Sequence, residues 1–256
     1  VPSRARRSRK QATVEGRRAV LEALRAGRPV HRILLSETAT QGPQIAEIVA
    51  LAGAASVPVE AVQRRELDGA SLTGRHQGVV AMVPDPSYIG LEDLVARAQE
   101  SGACALIVVL DGIEDPHNLG AIVRTVDAAG GHGIVIPTRR AASITPGAVR
   151  ASAGALEHVP VARVPNLVRA LDALKMAGVW IVGLDQDAGT EYTDVDFKAP
   201  TAIVVGGENR GISRLVREQC DVLASVPLRG ELASLNASVA AAIALYEAVR
   251  QRDAGP

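Results

Sequence analysis

The chain has 256 residues, balanced charge (28 basic and 28 acidic side chains) and an apolar fraction of 47%. That supplies core material for one or two domains, and the zero net charge argues against indiscriminate polyanion binding. No run reaches the roughly 18 apolar residues of a membrane helix and the first residues form no apolar leader, so a cytoplasmic protein without membrane contact is expected.

Residues 1–12 read as a basic tail. Residues 1–35 carry ten Lys or Arg against only Glu15 and Glu22, an excess that suits phosphate contact and equally a solvated face. Gly16 to Leu24 reads as an amphipathic helix with Ala19, Val20, Ala23 and Leu24 on one face, closed by Gly27. Val30 to Leu35 then reads as a strand, Gln44 to Ala52 as a helix, and Val57 to Val62 and Gly78 to Val83 as strands. Together they predict a small alternating α/β unit over 13–83. Pro84 and Pro86 open a linker, 84–102, within which Leu91 to Gln99 becomes a helix.

From 103 to 252 the alternation is cleaner. Strands are predicted at Ala105 to Leu110, Gly133 to Ile136, His158 to Val164, Val179 to Leu184, Thr201 to Val205 and Val222 to Val226. Helices fall between them at Leu119 to Ala129, Pro146 to Ala155, Leu167 to Ala177 and Ile212 to Gln219, with Asn236 to Arg250 as the last. Strands that are apolar throughout and alternate with helices predict an α/β domain whose parallel sheet is covered on both faces. Cys104 and Cys220, far apart in apolar segments, read as small buried hydrophobes, with no zinc or other metal site. Aromatics are only 2% of the chain, so base stacking is not its way of holding nucleic acid.

Ligands of open parallel sheets gather at the carboxyl ends of the strands, and three loops there carry chemistry-bearing side chains. The first, Asp111 to Gly120, places Asn118 where a helix N-cap stands and leads to Arg124. It lacks the GxGxxG of dinucleotide sites. The second, Gly206-Gly207-Glu208-Asn209-Arg210-Gly211, permits close ligand approach but has no Lys-Ser/Thr ending of a phosphate loop. Glu208 could serve there or simply cap the next helix. In the third, Val226 to Ala240, Ser234 and Asn236 occupy capping positions that would also serve a site.

Asp115-Pro116-His117-Asn118-Leu119-Gly120 with Arg124-Thr125, Gly206-Gly207-Glu208 with Gly211, and Ser234-Leu235-Asn236 with Ser238 resemble, in order and separation, the three motifs of the SpoU/TrmH family of the SPOUT superfamily. Gly16 to Leu24 and His76-Gln77-Gly78-Val79-Val80-Ala81 resemble the opening and closing signatures of that family's small RNA substrate-binding domain. Leu228, Ala237 and Val126 depart from common family residues without touching a polar role. The likeness is greatest to RlmB-type members, which methylate a guanosine ribose of 23S ribosomal RNA; the alternatives are a 2'-O-methyltransferase of transfer RNA and a non-catalytic RNA-binding or ribosome assembly factor of the same fold.

The resemblance implies a SPOUT-type parallel sheet with a C-terminal trefoil knot, a homodimer, and S-adenosylmethionine as cofactor. It implies Asn118, Arg124, Glu208, Ser234 and Asn236 as catalytic residues, and Leu184, Gly206, Gly207, Val226, Leu228 and Leu235 around the cofactor. Arg17, Arg18, Arg75, His76 and Gln77 are the implied contacts to structured RNA. Because an arginine stays charged at any ordinary pH, Arg124 is expected to clamp phosphate and stabilise alkoxide charge before it acts as a base.

Overall fold

The computed structural model describes residues 12–38, 42–72, 74–84, 87–208, 210–231 and 233–254. The basic tail through residue 11, Pro86, Asn209 and Leu232 lie outside the described residues. The chain divides into two units, 1–86 and 87–256.

The first unit runs β1 (Ala12–Glu15), α1 (Arg17–Arg25), β2 (Arg32–Ser36), α2 (Pro43–Ala54), β3 (Val59–Val62), α3 (Arg64–Ala70) and β4 (Val79–Val83). Its sheet has the order β1-β4-β2-β3 and is mixed, because β4 pairs antiparallel with β1 and β2 while β2 and β3 are parallel. Strand β4 is buried at every position. Val80 and Met82 pack with Leu34, Val62 and Leu67 of α3, so alternation turns Val79, Ala81 and Val83 to the opposite face. Two elements were not expected. In β1 the buried Val14 stands among polar neighbours, and α3 buries only Leu67.

The second unit runs α4 (Leu91–Glu100), β5 (Leu106–Asp111), α5 (Pro116–Ala128), β6 (Gly133–Pro137), α6 (Pro146–Ala151), β7 (Val161–Val164), α7 (Leu167–Met176), β8 (Trp180–Leu184), β9 (Thr190–Glu191), β10 (Thr201–Gly206), α8 (Arg214–Arg217), β11 (Val222–Ser225) and α9 (Ala237–Asp253). Every strand pair is parallel, in the order β7-β6-β5-β10-β8-β11-β9. The sheet is covered on both faces, and β5 shows why. Leu106, Val108 and Leu110 face the core built with α5, α6 and α9, whereas Ile107 and Val109 face α4, α7 and α8. Helix α4, expected inside a linker, thus belongs to this unit through its buried Leu94.

The strand expected from His158 starts only at Val161, after a 3-10 turn at Ala155–Glu157. Pro160 has no N–H for a ladder, and its carbonyl accepts from Ile134 instead. Neither cysteine is fully buried. Cys220 packs at the edge of the second core and Cys104 donates to the Lys198 carbonyl at 3.0 Å. None of the described helices is long and apolar enough to cross a membrane.

Candidate active site

Strand β10 lies between β5 and β8 although it follows both in sequence. The carboxyl ends of β5 and β10 therefore meet at a topological switch point, where open α/β sheets bind ligands. Register pairs Gly206 with Asp111 there. The Asp111 carbonyl accepts from the Gly207 N–H at 2.9 Å and its Oδ2 from the Ser213 N–H at 2.7 Å, fixing both ends of the glycine loop. A Cβ on Gly206 would stand 2.1 Å from the Gly211 carbonyl carbon, and one on Gly207 2.5 Å from the Gly112 carbonyl oxygen. Those segments pass too closely for any side chain.

Helix α5 is capped by Asp115, whose Oδ1 accepts from the His117 N–H at 2.9 Å, with Pro116 in the first turn. Asn118 is therefore not the cap, because Asp115 stands three residues earlier and already fills that place. Its amide is free for other work. Asn118 Nδ2 donates to Glu208 Oε1 at 2.9 Å, Asn236 Nδ2 donates to the same oxygen at 2.6 Å, and Asn236 Nδ2 also reaches Asn118 Oδ1 at 3.0 Å. Asn236 does cap its helix: Oδ1 accepts from the backbone N–H and the hydroxyl of Ser238. Glu208 caps no helix, since Ser213 precedes α8. Three loops far apart in sequence thus converge on one carboxylate.

Beside this cluster lies a cavity of about 370 Å³ at the carboxyl ends of β8, β10 and β11. Leu184, Gly206, Gly207, Val226, Leu228 and Leu235, together with Glu208 and Ser234, line it. Ser234 is exposed and caps nothing. Asp185, Asp187, Arg210 and Arg217 line it too and were not singled out by sequence. Arg217 Nε meets Asp185 Oδ2 at 3.3 Å, and Asp185 Oδ1 accepts from the Asp187 N–H. The position of this loop after an apolar strand was a usable signal, although it has no motif. Behind β8, burial pushes the Cys220 thiol up to about 11, which keeps it protonated and unreactive.

Arg124 is not part of the cluster. It is exposed and has no hydrogen-bond or ion-pair partner among the described residues. Six residues beyond Asn118, it sits about 9 Å along the helix and a third of a turn around it.

In the first unit, Arg18, Arg75 and Gln77 are exposed. Arg17 Nε donates to the Gln77 carbonyl at 3.2 Å, and Gln77 holds a left-handed backbone with φ 51. His76 is buried, with Nδ1 accepting from the Gly78 N–H and Nε2 at 2.9 Å from Asp68 Oδ1. Both ring nitrogens are thus spent on holding the loop that presents its neighbours.

Residues 105–246 match the SpoU rRNA Methylase family, and residues 13–89 match the RNA 2'-O ribose methyltransferase substrate-binding family. A Bacillus subtilis protein, YacO, named as a TrmH family tRNA/rRNA methyltransferase, is 44% identical over 94% of this chain and 96% of its own. A tRNA/rRNA methyltransferase of Mycolicibacterium vanbaalenii is 47% identical over 93% of this chain and 76% of its own. Among solved structures, the SpoU methyltransferase AviRb of Streptomyces viridochromogenes superposes with a TM-score of 0.81 at 31% identity, covering 99% of this chain and 94% of that one. The AdoMet-bound rRNA methyltransferase of Sinorhizobium meliloti gives 0.79 at 28%, covering 94% and 87%. With these matches, the parallel sheet, switch-point cavity and three-loop cluster are those of an α/β RNA methyltransferase. The chain belongs to the SpoU/TrmH family.

Proposed function

We propose that the chain methylates a ribose 2'-hydroxyl of structured RNA, a guanosine of 23S ribosomal RNA, with S-adenosylmethionine as donor. The observation that carries this reading is the convergence of Asn118, Glu208 and Asn236 on one point at the rim of an apolar-walled cavity. The cavity suits the cofactor: Leu184, Val226, Leu228 and Leu235 give the apolar walls an adenosine needs, within the volume range of small-molecule sites. Asp187 and Glu208 offer negative charge to a cationic sulfonium and ammonium, and Arg210 offers positive charge to a carboxylate, while Asp185 and Arg217 are paired with each other.

When bound, the cofactor supplies a methyl group on a positively charged sulfur. The protein's part is to hold a ribose oxygen in line with it, and such positioning lowers much of the barrier. Asn118, Glu208 and Asn236 lock one another's orientation and provide the polar frame, with the Ser234 hydroxyl at its edge. Arg124 clamps a phosphate of the RNA and stabilises charge growing on the ribose oxygen, whose proton becomes acidic as the new C–O bond forms and passes to solvent water.

Arg124 lies off the Asn118 face of its helix, so within one chain it is badly placed for this task. A homodimer that carries Arg124 to the partner's cavity removes the difficulty. Val239 and Tyr246, seven residues apart on one face of α9 and 47% and 51% exposed, support such an interface. The insertion of β10 between β5 and β8 and the tight passage at Gly206 accord with the trefoil that the resemblance implies. Arg17, Arg18, Arg75 and Gln77 of residues 13–83 serve as substrate contacts, in a cytoplasmic setting. The decisive experiment maps ribose methylation over all ribosomal and transfer RNA in a deletion strain. Loss at one 23S guanosine is expected. Loss in transfer RNA alone would reassign the substrate, and no loss anywhere would end the reading.

A further inference from the structure

Between Asp127 and Glu157 the chain has no carboxylate side chain and three arginines, Arg139, Arg140 and Arg150. The first two occupy the loop from β6 to α6, at the same sheet edge as Asn118 but on the side of β5 away from the cavity. Both are exposed, and neither has a hydrogen-bond or ion-pair partner among the described residues.

The loop that carries them is firmly tied. The Thr138 N–H donates to the Val164 carbonyl at 2.9 Å, and the Ile144 N–H donates to the Tyr88 hydroxyl at 3.0 Å. Arg163 lies 5.0 Å over the Tyr88 ring and donates to the Thr138 carbonyl at 3.2 Å. Arg140 itself holds a left-handed backbone, φ 55, a conformation that a non-glycine residue keeps only where its surroundings impose it. The Ala142 N–H donates at 2.7 Å to the Ile113 carbonyl, in the segment leading into α5 and Asn118.

A second observation comes from the helix that follows. Arg150 Nη1 is buried and has no hydrogen-bond partner among the described residues. Buried guanidinium N–H groups are nearly always bonded, so this one is a donor that the described residues leave unsatisfied.

We propose that the Arg139–Arg140 loop, with Arg150 behind it, is a binding surface for RNA phosphates that flanks the target nucleotide on the side opposite the cofactor cavity. The inference rests on the RNA methyltransferase reading and adds a contact surface in the second unit. Paired exposed guanidinium groups on a rigid loop match phosphate oxygens through their forked donors. Residues 128–156 themselves carry no carboxylate side chain to offset this charge.

The test measures binding of transcribed 23S ribosomal RNA over a series of salt concentrations, for the full chain and for Arg139→Gln/Arg140→Gln. Each lost phosphate contact should flatten the slope of log affinity against log salt by about 0.7–0.9. The double variant should therefore flatten it by about 1.5, with affinity down roughly 10- to 100-fold at low salt. S-adenosylmethionine affinity by calorimetry should not change, since the loop lies away from the cavity. Arg150→Gln should flatten the slope further. A double variant with the slope of a parent chain that methylates RNA overturns this inference alone, whereas a parent that neither binds nor methylates RNA overturns the reading beneath it. A changed oligomeric state by light scattering with an unchanged slope would make the loop a contact between copies of the chain, and would also overturn the proposal.

Discussion

Asn236 turns two ways at once: its Nδ2 donates to Glu208 Oε1 at 2.6 Å while its Oδ1 accepts from the Ser238 N–H at 2.9 Å. One side chain therefore starts helix α9 and orients the carboxylate at the cavity rim. The two roles separate by substitution. Asn236→Ala should lose both, costing ~1 kcal/mol of stability for the cap and roughly 100- to 1000-fold in turnover for the lost donor. Asn236→Asp keeps a good cap but sets a second carboxylate against Glu208. Its denaturation midpoint should stay near that of the parent while methyl transfer is lost. If Asn236→Asp turns over like the parent, the residue is only a cap.

Arg124 lies on the same helix as Asn118 yet off its face, and it is exposed. Arg124→Ala should lower methylation at least ~100-fold with S-adenosylmethionine affinity intact by calorimetry. Glu208→Ala should also be inactive alone. If the site is completed across a two-fold interface, mixing the two variants should restore about a quarter of the sites, those that combine intact residues from both chains. Without any recovery on mixing, Arg124 must act within its own chain.

Strands β5, β6, β8 and β10 were legible in the sequence because each is an apolar run buried on both faces, and periodicity needs nothing more. Polar or very short elements were not: β1 buries one apolar residue, Val14, between the buried polar Thr13 and Glu15, α3 buries only Leu67, and β9 has two residues. The three loops of the site could be found because motif spacing is local. Their meeting could not, since it depends on β10 entering between β5 and β8, and strand order leaves no periodic trace. Asn118 was misread as a cap because Asp115, three residues earlier, fits the same preference and has a proline after it. Asp185 and Arg217 went unnoticed because an ion pair across two loops has no sequence spacing of its own.

The glycines of the second loop differ in kind. Gly206→Ala puts a Cβ 2.1 Å from the Gly211 carbonyl carbon, and backbone cannot yield as a flexible side chain does. A loss of 1–3 kcal/mol or more is expected from overpacking, with weakened cofactor binding. Gly211→Ala meets open space but sits at φ 59, so its cost should be about 1–2 kcal/mol from the left-handed backbone alone. Urea denaturation of both variants orders them. If Gly206→Ala is the milder change, the close crossing of these segments is wrong.

His132 gives the second unit a pH dependence whose sign can be worked out. Its Nδ1 accepts from the Leu106 N–H at 3.0 Å at the start of β5, so the neutral ring carries its proton on Nε2, 2.9 Å from the Ser101 hydroxyl. Burial holds its pKa below the ordinary value of 6.5, because charging the ring costs hydration that the fold does not return. Its contribution is therefore fully present above about 6.5 and fades as pH falls through the lower folded value, since the unfolded chain takes up the proton first. Urea midpoints measured from pH 8 downward should fall below about 6.5. His132→Gln, which cannot titrate, should flatten that part of the profile. A variant that follows the parent through the same window would assign the acid sensitivity to other groups.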